Sequence, residues 1–191
     1  IFDDKIIATD NPDFPLIKAK KILLTEGAYE APAAFPGWTL PGVVTLGGVQ
    51  ILLKSQGVIP KGKILIAGTG PLLLYTATQL AKNGADIAGV LEASSFFQWM
   101  KWSFRLLRAP NLLWKGIQYL AYLKIHRIPV LYNRMVIRAE GNNAVENVVF
   151  AKNNKDWIPR DGTEKTVNVD NLFLNFGFIS STTFSHMAGC K

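Results

Sequence analysis

The stretch KILIAGTGPLLLYTATQLAKNGADIAGVLE, residues 63–92, leaves this chain few folds to choose from. It begins with a short run of branched apolar residues, Lys63-Ile64-Leu65-Ile66-Ala67, that meets Gly68-Thr69-Gly70-Pro71 with no spacer. A buried parallel strand runs into a tight turn in this way. Pro71 suits the first helical position, where its missing N–H costs nothing, and Leu72, Leu73, Leu74, Ala77, Leu80 and Ala81 then recur at helical spacing. Lys82, Asn83 and Gly84 supply a helix stop, after which Asp86-Ile87-Ala88-Gly89-Val90-Leu91 reads as a second buried strand closing on Glu92. Strand, glycine turn, helix and strand within about thirty residues make one βαβ unit. The pattern predicts an α/β fold built on a Rossmann-type parallel sheet.

Such a unit supports dinucleotide binding. Gly68 lets the chain turn sharply, and Gly70 lets the backbone approach a pyrophosphate, whose charge the helix start and its dipole meet through Thr69, Pro71 and Leu72. Glu92 follows Gly68 by 24 positions, close to the roughly 20 expected of an acid that holds an adenosine ribose by its hydroxyls, with Ala93 directly behind it. The third glycine of G-x-G-x-x-G is replaced by Leu73, a bulky side chain that must displace the helix or point aside. A carboxylate at position 92 would repel a 2′-phosphate, and residues 93–98 contain no Lys or Arg, so the expected coenzyme is NAD rather than NADP.

A chain of 191 residues with 49% apolar content can bury one good core. No apolar run reaches the roughly 20 residues that span a bilayer. The first residues carry neither an initiator Met nor a signal-peptide pattern, so the chain is expected to be part of something longer. A single cysteine, Cys190, excludes an internal disulfide, a CxxC redox pair and a cysteine-rich metal site, which points to the cytoplasm. The two histidines, His126 and His186, have no partner at metal-ligand or triad spacing, and no metal is expected.

Before the glycine loop, residues 5–9 and 21–25 are strand-like and separated by turns, suggesting a small antiparallel piece. A Pro/Gly-dense connection covers 31–42, and residues 47–57 read as a helix. Beyond Glu92 the chain turns basic and aromatic: residues 93–138 carry eight Lys or Arg and no acid, a local +8 against +7 for the whole chain. Two helices are expected there, divided near Pro110, the second over 112–126. The plainer reading packs both on the sheet with snorkelling Lys and Arg stems. The sharper one makes segment 96–119, with Trp99, Trp102 and Phe104, an interface to partner subunits. No recognised nucleic-acid module accompanies the charge, so nucleic acid is not an expected partner. Residues 128–132 read as the next parallel strand. Those at 135–139, 145–151 and 166–169 form an antiparallel meander expected to cover one edge of the sheet.

Residues 23–28, LLTEGA, followed by FPGWTLPGV at 35–43 and Gly68-Thr69-Gly70-Pro71, resemble the flavoproteins with two dinucleotide-binding domains, and among them the α subunits of opine oxidases, dye-linked proline and hydroxyproline dehydrogenases and hydrogen cyanide synthase. In that family an NAD domain interrupts the FAD domain, and Thr25-Glu26-Gly27 stands where the first crossing usually reads A-T-G. Residues 170–178, DNLFLNFGF, resemble the strand and glycine of the return crossing, with Ser180 in place of the usual proline. The resemblance implies that Gly27 and Gly177 approach a flavin. It also implies three segments: 1–35 as a crossing piece of a split FAD domain, 36–169 as the NAD-binding domain with its meander, and 170–191 as the return. A second glycine fingerprint, the one that holds FAD, is missing, so FAD is expected to be held mainly by sequence outside this chain, and the fragment alone to turn nothing over.

The combined expectation is the nicotinamide-nucleotide portion of an FAD-dependent oxidoreductase, passing hydride between NAD(H) and a flavin, with amino-acid or opine oxidation as its setting. The alternative is a non-catalytic adenine-nucleotide module that stabilises a multisubunit complex.

Overall fold

A computed structural model describes residues 2–3, 6–8, 11–13, 15–105 and 110–190, without the side chains of 2, 3, 6, 8 and 102–105. The chain divides into two compact units, 1–29 with 178–191 and 30–177.

In the smaller unit, Phe2–Asp3 (β1), Ile6–Ala8 (β2) and Leu16–Lys18 (β3) form an antiparallel sheet in the order β1-β2-β3. The strand expected over 21–25 does not form: Leu23 is 88% exposed, and a β-prone run with no strand beside it among the described residues has no ladder to join. Ala28–Glu30 (β4) follows.

The larger unit is built on five parallel strands. Val43–Thr45 (β5) leads into the helix Leu46–Gln56 (α1), which Gly57 ends in the left-handed conformation. Then come Lys63–Gly68 (β6), Pro71–Lys82 (α2), Asp86–Glu92 (β7), Phe96–Arg105 (α3), Pro110–Ile125 (α4) and Val130–Tyr132 (β8). Arg134–Glu140 (β9), Asn147–Lys152 (β10) and Lys165–Asn168 (β11) make the antiparallel meander, and Asn171–Asn175 (β12) returns to the parallel sheet. The sheet order is β5-β12-β6-β7-β8, all parallel. Residues 171–175, read from sequence as the head of the return crossing, therefore lie inside this sheet, between β5 and β6.

The alternation along β6 decides the layers. Ile64 and Ile66 join Leu73, Ala77, Leu80 and Leu123 in a core beneath α1, α2 and α4, while Leu65 and Ala67 join Val136, Val148 and Phe150 in a second core. The meander thus covers a face of the sheet and not, as expected, an edge. A parallel strand apolar on both sides needs a second layer, and the meander's inward Val and Phe side chains supply it. The Pro/Gly connection before β5 runs along the meander, where Pro36 and Pro41 carbonyls accept the Ala139 and Val145 amides at 2.9 Å each. Leu73, in the third-glycine position, is fully buried in the helix-side core.

After Gly177 the chain re-enters the smaller unit as Phe178–Ser180 (β13), paired with β4, and Thr183–Met187 (α5). Glu26 closes α5 by accepting the Phe184 and Ser185 amides, each at 2.9 Å, and the Ser185 hydroxyl at 2.6 Å, and these bonds hold its carboxyl below the usual range.

Candidate functional site: the glycine loop and its acid

The site lies at the carboxyl ends of β12, β6 and β7, where open parallel sheets bind ligands. Gly68 has φ +142°, and a Cβ there would stand 1.8 Å from the Asn175 carbonyl oxygen, so glycine is what lets β6 and β12 close at their ends. Gly70 has φ +98°, and no atom lies within 4 Å of where its Cβ would be: this glycine borders open space, as a backbone approached by a ligand must.

The loop amides divide between structure and solvent. The Thr69 amide donates to the Asn175 carbonyl at 2.8 Å, the Gly70 amide to Glu92 Oε2 at 3.0 Å, and the Leu73 amide to the Gly70 carbonyl at 3.2 Å. Pro71 has no N–H. The Leu72 amide is left without a protein partner among the described residues, at the positive end of α2 and ready for an anion.

Glu92 is 2% exposed. Its Oε1 accepts the Ser94 amide at 2.9 Å while Oε2 accepts the Gly70 amide, so the carboxylate ties the glycine loop to the end of β7. Burial pushes this carboxyl above its usual range, opposed by hydrogen bonds from the Ser94 amide, the Thr69 hydroxyl and the Gly70 amide. The Thr69 and Ser94 hydroxyls lie 2.9 Å apart, and the Ala93 amide donates to the Gly68 carbonyl at 2.8 Å. Gly68, Thr69, Gly70, Pro71, Leu72, Glu92 and Ala93 are thereby brought together at one place. The two glycines expected to approach a flavin lie elsewhere in the sequence: Gly27 at φ +76° and Gly177 at φ +101°, each with open space where a Cβ would stand.

Two asparagines at the site carried no sequence signal. Asn175 donates to the Thr69 carbonyl at 3.1 Å, and Asn153 donates to the carbonyls of Ala93 at 2.9 Å and Asn154 at 3.0 Å. Both are buried, and the Oδ1 of each has no partner among the described residues. Orphaned acceptors beside a glycine loop fit a ligand rich in hydroxyl and amine donors, as an adenosine nucleotide is.

No family model matches the chain. Over 175 residues it is 39% identical to the hydrogen cyanide synthase protein HcnB of Pseudomonas protegens, covering 92% of this chain and 37% of that protein. Over 179 residues it is 34% identical to one of the subunits of opine oxidase from Agrobacterium tumefaciens, covering 92% and 34%. In fold it matches a T. acidophilum thioredoxin reductase with a TM-score of 0.67 at 17% identity, over 97% of this chain and 52% of that one. In sequence the chain is similar to these oxidoreductase subunits, and in fold to the flavoprotein reductases. It spans just over a third of the length of the curated relatives it matches, and those relatives are named as subunits. Among the described residues no helix is long and apolar enough to cross a membrane.

The basic aromatic segment is only partly covered. Trp99, Tyr119 and Leu120 pack on the helix-side core and Leu123 is buried in it, but Phe96, Phe97, Leu112, Trp114 and Ile117 are exposed. The expectations for Trp102, Phe104, Leu106 and Leu107 fall outside the described side chains and residues.

Proposed function

We propose that this chain is the pyridine-nucleotide portion of an FAD-dependent oxidoreductase, with NAD(H) held at the glycine loop and flavin held mainly outside these 191 residues. The observation that supports it best is the loop itself. Gly70 faces open space, the Leu72 amide is unpartnered at a helix start, and Glu92 holds the Gly70 amide. Leu72 and the α2 dipole would take the pyrophosphate. The negative charge of Glu92 supports NAD(H) over the 2′-phosphorylated coenzyme. A nicotinamide held here would supply hydride-transfer chemistry toward a flavin, and the chain's own part would be to bind and orient it. Gly27 and Gly177 are the positions proposed to let that flavin approach, amine or imino-acid oxidation is the proposed setting, and the single, exposed cysteine supports a cytoplasmic one.

Gly70→Ala carries the backbone strain of φ +98° but meets no atom, so it should stay folded, yet weaken NADH binding about tenfold or more by occupying the pyrophosphate path. Calorimetric titration of both proteins tests this, and an unchanged affinity, or no NADH binding by the wild type, would reject the site. Reduction of an added dye by NADH in the complete flavoprotein separates an oxidoreductase from a purely structural nucleotide module.

Partner subunits are proposed on α3 and α4. Trp114, 61% exposed, is the probe: Trp114→Glu puts a charge into the contact and should lower the assembly state in sedimentation while circular dichroism stays the same. An identical sedimentation profile for both proteins would remove α4 from the interface.

A further inference from the structure

Ala93, next to the acid of the glycine loop, also lines a cavity of about 460 Å³ whose wall carries four cations, Arg134, Lys152, Lys155 and Arg160. None of the four forms an ion pair among the described residues, and no carboxylate lines the cavity, although Asp156 and Asp161 are close in sequence. Four unpaired positive charges sharing one concave wall repel one another, and an anion relieves that repulsion. The wall is also built. Arg134 is fixed by donating Nη1 to the Asn133 carbonyl at 3.0 Å and to the Tyr132 carbonyl at 3.4 Å, and its Nε and Nη2 have no partner among the described residues. Asn154 Oδ1 accepts the Asp156 and Ile158 amides at 2.8 and 2.9 Å, folding the turn that carries Lys155 and Trp157. Asn133 and Trp157 both line the cavity in the left-handed region, at φ +53° and +61°, where non-glycine residues are strained. Asn153, 4% exposed, also lines the cavity, and its Oδ1 has no partner.

We infer that this cavity seats a phosphate monoester dianion carried on a hydroxyl-bearing molecule. The cations meet the dianion by charge-assisted hydrogen bonds, with Arg134 offering its free donors as a fork. Asn153 Oδ1 accepts a hydroxyl. The volume exceeds what a bare phosphate fills and falls within the range of small-ligand sites. The inference rests on the proposed nucleotide site for its location only, since Ala93 joins the two. Two sources carry this chemistry: the 2′-phosphate of a dinucleotide whose ribose lies at Glu92, and a separate phosphorylated molecule. The first would make NADP(H) the coenzyme and overrule the charge argument from Glu92, because the fold brings four cations to a place where residues 93–98 supply none.

The test is the double variant Lys152→Gln with Arg160→Gln, both exposed, titrated with NADH, NADPH and inorganic phosphate alongside the wild type, with circular dichroism as the folding control. NADPH binding more tightly than NADH in the wild type, with that advantage reduced about tenfold in the variant, assigns the dianion to the coenzyme. NADPH binding no more tightly than NADH, with inorganic phosphate binding to the wild type and about tenfold more weakly to the variant, assigns it to a separate ligand. If the variant changes neither NADPH nor phosphate binding, or the wild type binds neither, the inference is overturned. NADH is the internal control: its failure to bind rejects the glycine-loop reading, while the phosphate titration still judges the cavity.

Discussion

Gly68→Ala is expected to remove a large share of the stability of the larger unit. The added methyl would stand 1.8 Å from the Asn175 carbonyl oxygen, on backbone at φ +142°, so β6 and β12 would have to part at their carboxyl ends. Parting them breaks the Thr69 amide bond to Asn175 and the Asn175 bond back to Thr69, at 2.8 and 3.1 Å. Neither neighbour can yield, because both are backbone of central strands. The cost should reach about 4 kcal/mol, among the larger single-substitution effects and a large share of a domain's stability. Urea unfolding of Gly68→Ala and Gly70→Ala side by side checks it. A midpoint for Gly68→Ala within error of wild type would show that the strands are not held as described, whereas Gly70→Ala, with open space around it, should lose far less.

Replacing Glu92 by Gln should cost about 2–3 kcal/mol and change how stability depends on pH. The carboxylate accepts from two amides, Gly70 and Ser94, and a carboxamide presents one acceptor and one donor, so one buried N–H loses its partner. The folded-state pKa of Glu92 is raised by burial, so the fold favours the protonated acid. That contribution is fully present below the ordinary value of 4.5 and is lost as the pH rises through the raised one. Glu26 runs the other way: hydrogen bonds from Ser185 and Phe184 lower its pKa, so its contribution is lost as the pH falls through the lowered value. Glu92→Gln keeps the Glu26 effect and removes its own. The difference between wild-type and variant melting temperatures should therefore grow in favour of the wild type as the pH is lowered through the raised value. A pH-independent difference would mean that Glu92 is not titrating in a buried setting.

Residues 63–92 alone determined the βαβ unit, because each of its signals is local. An apolar strand of six residues, glycines at two turn positions, a proline at the first helical position and a helix stop each act within a few residues of chain. The parallel sheet, the placing of Gly68, Gly70 and Glu92 at one end of it, and the antiparallel character of residues 134–168 were legible for the same reason. Three matters were decided only by tertiary structure. The meander lies on a face because the second apolar side of β6 and β12 needed covering, a demand no single strand records. Residues 21–25 are as β-prone as many strands, but strand formation depends on a neighbour, and none is there among the described residues. The charge around Glu92 is set by residues that arrive from β9, β10 and the turn after them. Reading 93–98 in sequence finds no cation, while Arg134, Lys152, Lys155 and Arg160 line one cavity with Ala93 once the meander has packed against the sheet. Electrostatics falls off with distance through space and takes no account of separation along the chain, so the sequence determined the glycine loop and its acid, and the fold decided what surrounds them.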